Sequence, residues 1–73
     1  MTIQEFSISP VVENLLKSKG VTVLVDRACS GYVTNYKITF FDRNYKPFQL
    51  ISGRPPSVNH EFDRTVNLIR HSS

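Results

Sequence analysis

Residues 32–41 read Tyr-Val-Thr-Asn-Tyr-Lys-Ile-Thr-Phe-Phe, and residues 42–52 continue Asp-Arg-Asn-Tyr-Lys-Pro-Phe-Gln-Leu-Ile-Ser. The first run alternates. Tyr36, Ile38 and Phe40 fall on one side and Asn35, Lys37 and Thr39 on the other, the period-two pattern of a strand with one buried face. Asp42-Arg43-Asn44 breaks the run with turn-forming residues, and Asn44 tolerates the positive φ of a three-residue hairpin turn. The returning strand is Tyr45 to Ser52, with Phe48 and Leu50 inward. Pro47 has no N–H to give to a ladder, so this strand belongs at a sheet edge. A hairpin with one apolar side is thus the centre of the fold, and that side needs cover.

Upstream, Val21-Thr22-Val23-Leu24-Val25-Asp26 is short and β-branched, a third strand with Val21, Val23 and Val25 on one side. Ala28-Cys29-Ser30-Gly31 reads as the turn that joins it to the central strand. Before it, Ser9-Pro10 opens a helix, because Ser caps and Pro is pre-organised for the first turn. Val11, Val12, Leu15 and Leu16 repeat on one face up to Lys19, and Gly20 supplies the left-handed stop. Residues 1–8 form an N-terminal arm in which Thr2 and Glu5 have capping-box spacing and Ile3 and Phe6 reach the core. The alternative makes residues 2–8 a fourth strand.

Downstream, Gly53-Arg54-Pro55-Pro56 reads as a stiff linker and Ser57 as the cap of a second helix running to His71. Val58, Phe62, Thr65, Val66 and Ile69 fall at i, i+4, i+7, i+8 and i+11, an amphipathic stripe. The expected fold is α+β in the order α-β-β-β-α: a three-stranded antiparallel sheet with two helices packed on one face. Residues 9–71 form one small domain and residues 72–73 a frayed end. The expected core is Val12, Leu15, Leu16, Val23, Ile38, Phe40, Phe48, Leu50, Phe62, Val66 and Ile69.

The element order, Ser9-Pro10-Val11 with Leu15-Leu16 and Gly20, and Tyr36-Lys37-Ile38-Thr39-Phe40 resemble the double-stranded RNA-binding domain. The resemblance implies the architecture. That family carries a Gly-Pro-x-His loop after its first strand and a Lys-Lys-x-Ala-Lys cluster opening its second helix. The corresponding stretches here are Ser30-Gly31-Tyr32-Val33 and Pro56-Ser57-Val58-Asn59-His60, so its phosphate-binding residues do not carry over.

Composition narrows the function classes. With 73 residues, 40% hydrophobic and no Trp, the chain is one small domain that buries only roughly 60% of its unfolded surface. The 21% of charged residues lie in the ordinary globular range. Cys29 is the single cysteine, so no internal disulfide forms, and no Cys/His array has zinc spacing. The start lacks the basic and apolar regions of a signal peptide, and no apolar run approaches the roughly 20 residues of a membrane span. The expected location is the cytoplasm, with no membrane contact.

Catalytic equipment is not visible. Ser57, His60 and Asp63 include the residue types of a hydrolase triad, but successive turns of one helix do not nest them. Gly31 and Gly53 stand apart from any phosphate-cradling motif, and no cofactor or metal is expected. His60 and His71 lie about 16 Å apart along a helix at 1.5 Å per residue, too far to share a metal ion. The chain therefore reads as a non-enzyme.

Charge points to a surface. The net charge of +3 lies in the second half, where Lys37, Arg43, Lys46, Arg54, Arg64 and Arg70 face Asp42, Glu61 and Asp63. The stretch from Arg43 to His60 holds no acid. Helix spacing also turns His60, Arg64, Asn67 and His71 onto one exposed face. Lys37, Arg43, Tyr45, Lys46, Arg54, His60 and Arg64 are accordingly the candidate binding residues. One expectation is a nucleic-acid-binding module, with bases of the protein on phosphates and rings under nucleobases. The alternative is a small inhibitor or regulator that binds a larger protein through its edge strand and Arg-Pro-Pro loop, or pairs with itself as a homodimer. The bland alternative, that these charges only solubilise the edge and the helix face, predicts no partner.

Overall fold

The structure is a computed structural model that describes residues 6–72. Their order is α1 (Pro10–Ser18), β1 (Thr22–Ser30), β2 (Val33–Phe41), β3 (Pro47–Gly53) and α2 (Pro55–His71). This is the expected α+β arrangement, with an open antiparallel sheet in the order β1-β2-β3. The Thr2–Glu5 capping box and the place of Ile3 lie outside the described residues. So does most of the alternative fourth strand, of which residues 6–8 form no strand.

The ends of α1 follow the sequence. The Ser9 hydroxyl accepts from the Val12 N–H at 3.4 Å. Lys19 is the C-cap, and Gly20 follows at φ 75. The Val21 N–H reaches back to the Leu16 carbonyl at 2.8 Å and the Gly20 N–H to that of Lys17 at 3.0 Å, a Schellman closure. Both apolar residues of that closure, Leu16 and Val21, join the core.

The structure differs from the sequence reading at the end of β1, at the start of α2 and in the β2–β3 hairpin, where β3 runs from Pro47 to Gly53 and not from Tyr45 to Ser52. β1 does not turn at Ala28: its register with β2 is unbroken from Thr22↔Phe41 to Ser30↔Val33. Cross-strand pairing overrides the weak strand preference of Ala28, Cys29 and Ser30, and Gly31 at φ 62 leads the turn instead. α2 begins at Pro55 with Arg54 as its N-cap, so Ser57 is not the cap. Proline suits the first helical turn, and the expected linker is the start of the helix. In the β2–β3 hairpin the positive φ falls on Tyr45, at 58, and not on Asn44. The Asp42 carboxylate accepts from the N–H groups of Asn44 at 2.9 Å and Lys46 at 3.0 Å. Those bonds brace the turn on either side of Tyr45, which takes the left-handed conformation.

A bulge decides which side of β3 is buried. Phe40 pairs with Gln49 but Phe41 pairs with Pro47, so Phe48 is the extra residue. Beyond it Ile51 lies opposite Ile38 and Leu50 opposite Thr39. Ile51 is buried, whereas Leu50 is 55% exposed. The expectation that Leu50 faces the core is therefore wrong by one residue, and Phe48, 47% exposed, sits at the margin.

The core consists of Leu16, Tyr36, Ile38, Phe40, Ile51, Val58, Phe62 and Val66, with Val12, Leu15, Val23 and Ile69 packed against it. Phe6 closes one side: its N–H donates to the Tyr36 hydroxyl at 3.1 Å, and its ring stands edge-on to Phe62 at 5.1 Å. α2 lies over β2 and β3, while α1 packs on α2. The inner side of β1 is less covered, and Val21, Val23 and Val25 are half-buried. With Phe6, Ile8 and Leu16 they line an apolar groove of about 340 Å³.

Candidate functional site

The seven sequence-predicted binding residues do not form one surface. Lys37 lies on the open face of the sheet, opposite Asp26 on β1 and Ser52 on β3, so a carboxylate stands beside its charge. Arg54 sits at the start of α2. His60 and Arg64 are exposed on α2 and, with Asp63, Asn67, Leu68 and His71, line a shallow depression. The helix-face spacing is thus correct, though Asp63 tempers its charge.

Arg43, Tyr45 and Lys46 do come together, on the β2–β3 hairpin. The Arg43 side chain lies directly over Gly20, where even a Cβ would collide with it. Arg43 therefore stands at the C-terminus of α1, where a cation meets the negative end of the helix dipole. Nearby, Lys19 donates from Nζ to the Ser72 carbonyl at 3.1 Å and caps the end of α2. Lys17 faces Glu13 at 3.5 Å. Several bases at this end thus already have intramolecular partners. Tyr45 is 75% exposed, a large ring held out on a tight turn.

A different feature was missed from sequence. Beside β3, a groove of about 490 Å³ runs between the strand and α2, lined by Phe48, Gln49, Glu61, Arg64, Thr65, Leu68, Ile69 and Ser72. Phe48 and Leu68 are 47% and 67% exposed, so two large apolar side chains face water across one depression. The bulge turns Phe48 toward α2, with its ring 6.1 Å from that of Phe40. Leu68 had a sequence signal: it is the apolar residue of helix two that falls off the stripe of 58, 62, 65, 66 and 69. Its neighbour Arg64 lines both this groove and the depression on the outer side of the helix.

β3 also offers its backbone. It is an edge strand, and past the bulge Gln49 to Ser52 run in regular register with β2, leaving a short straight stretch with one side unpartnered by any described strand. An edge strand flanked by a helix across a groove with apolar side chains on both walls is an arrangement by which folded domains take up an extended peptide. The added strand bonds to the edge, and its alternate side chains enter the groove.

Among the described residues, no group of three His, Cys, Asp or Glu side chains is placed to hold a metal ion, and no helix is long and apolar enough to cross a membrane. Comparison with known proteins gives no match to a family model, to a curated protein or to a solved structure. The likeness to the double-stranded RNA-binding domain is one of architecture and does not extend to that family's phosphate-binding residues.

Proposed function

We propose that this chain is a non-enzymatic protein-binding module of the cytoplasm that inhibits or redirects a larger protein by holding an extended segment of it against β3. The observation that carries the reading is the pairing of Phe48 and Leu68, both exposed, across the groove beside an open strand edge. A segment with an apolar side chain fits between them. Glu61 and Arg64 both line the groove, so a polar group of either sign on that segment finds a partner there. Residues Gln49 to Ser52 supply the main-chain partners, and the groove supplies selectivity. The Arg-Pro-Pro turn is fixed as the first turn of α2 and borders the far end of β3.

A nucleic-acid-binding module is the second reading, favoured by the meeting of Arg43, Lys46 and exposed Tyr45 on one hairpin. It is the weaker of the two, because Arg43 packs on Gly20 and Lys19 is bonded to Ser72. Affinity capture from a lysate, with and without nuclease, separates the readings. The first expects a stoichiometric protein that survives nuclease and is lost with Phe48→Glu. The second expects partners that nuclease removes, and an affinity whose salt slope falls by about one for each phosphate-contacting base replaced.

A further inference from the structure

We propose that β1 pairs with β1 of a second copy of this chain across a two-fold axis at Leu24, joining two three-stranded sheets into one of six. The inference concerns the opposite edge of the sheet from the groove and is independent of it.

Proteins that stay monomeric blunt long strand edges with proline, lysine, bulges or brevity. β3 is treated in this way, with Pro47 and the bulge at its start. β1 carries less of this. Arg27, opposite Tyr36 on the helix-facing side, is its inward-pointing charge, but the strand is nine residues long, contains no Pro, Gly or Lys, and pairs with β2 without a register shift. No described strand lies on its other side. Its inner valines are also the least covered apolar row of the helix-facing side, open along the groove with Phe6 and Ile8.

The sequence of β1 suits its own reversal. In a two-fold antiparallel pair the same faces of both sheets continue each other, so the residue on the axis pairs with itself. With Leu24 on the axis, Leu24 meets Leu24 of the second copy on the open face, where it is 50% exposed. Val23 then meets Val25 on the helix side, and Val25 meets Val23. Thr22 falls opposite Asp26, a hydroxyl beside a carboxylate. Moving the axis to Val25 sets Asp26 against Leu24, and an axis at Asp26 or Arg27 sets like charges against each other, which destabilises a sheet. An axis at Val23 pairs the valines at 21, 23 and 25 with one another, but sets Leu24 against Thr22 on the open face and Asp26 against Gly20, which lies outside the strand. The Leu24 register pairs residues 22–26 of the two copies, leaves no like charges opposed and extends cover over Val23 and Val25 of both. Such added burial matters for a domain this small.

Analytical ultracentrifugation of the full chain should give twice the 8.4 kDa chain mass at high concentration. Leu24→Lys places two ammonium groups opposite each other and raises the dimer dissociation constant by on the order of tenfold or more, with an unchanged circular dichroism spectrum. In a Cys29→Ser background, Leu24→Cys should crosslink on mild oxidation, since directly opposed residues bring their Cβ atoms to about 4.5–5.5 Å. Leu50→Cys, on the same face but at the other edge, should not. A chain that stays monomeric at millimolar concentration overturns the proposal. So does a dimer in which Leu24→Cys fails to crosslink, and this second variant decides the matter if Leu24→Lys does not fold.

Discussion

Replacing Ile51 and Leu50 one at a time by alanine measures the register that the bulge imposes on β3. Ile51 is 5% exposed and lies opposite Ile38 in the centre of the core. Truncation there removes most of a buried aliphatic side chain and leaves a cavity beneath α2, which costs about 3 kcal/mol. For a domain of this length that lowers Tm by about 12–24 °C. The total stability of such a chain is roughly 4–11 kcal/mol, so Ile51→Ala removes between about a quarter and three quarters of it. Leu50 points away from the helices with half of its surface in water, and its truncation costs less than about 1 kcal/mol. Thermal and urea denaturation followed by circular dichroism give both values. A larger loss for Leu50→Ala than for Ile51→Ala would refute the bulged register and restore the simple alternation of Phe48 and Leu50 inward.

Substitutions at three further positions probe the turns. Gly20→Ala forces a side chain into the left-handed region and displaces Arg43; it should destabilise by at least ~1–2 kcal/mol, and a neutral result in urea titration would contradict the packing at the end of α1. Asp42→Ala removes the acceptor shared by the N–H groups of Asn44 and Lys46 and should cost ~1–2 kcal/mol, whereas Asp42→Asn, which keeps an acceptor oxygen, should cost less than half as much in the same assay. Tyr45→Gly relieves the positive φ of an exposed aromatic residue and should raise stability by up to ~1 kcal/mol; a clear loss of stability would show that the Tyr45 ring has packing that its exposure does not reveal.

The parts of the fold legible in the sequence are those written in local chemistry. Ser9-Pro10 and Gly20 mark α1 because a cap, a preset φ and a left-handed stop act within a few residues. Alternation fixed the buried side of β2, since Tyr36, Ile38 and Phe40 interleave with polar residues, and the stripe from Val58 to Ile69 fixed that of α2. What failed depended on partners distant in sequence. Ala28, Cys29 and Ser30 are strand only because β2 pairs with them, and no local preference announces that. The bulge at Phe48 arises from fitting β3 to β2, and it moves every later residue of β3 to the other face. Charge counting marked Arg43 and Lys46 as a surface but not the packing of Arg43 on Gly20. The apolar pair beside β3 was hidden for the same reason: Phe48 was assigned to the core by an alternation that the bulge interrupts.

The most direct test of the docking account is a nuclear magnetic resonance titration. A ¹⁵N-labelled sample of the chain would receive a ten-residue extended peptide selected against it from a random library. On this account, selected peptides should share an apolar residue, and the largest amide shifts should fall on Gln49 to Ser52 and on Arg64 to Leu68. Phe48→Glu should abolish those shifts while leaving the remaining spectrum in place. Shifts centred on the hairpin from Asp42 to Lys46, or binding that Phe48→Glu leaves intact, would contradict it.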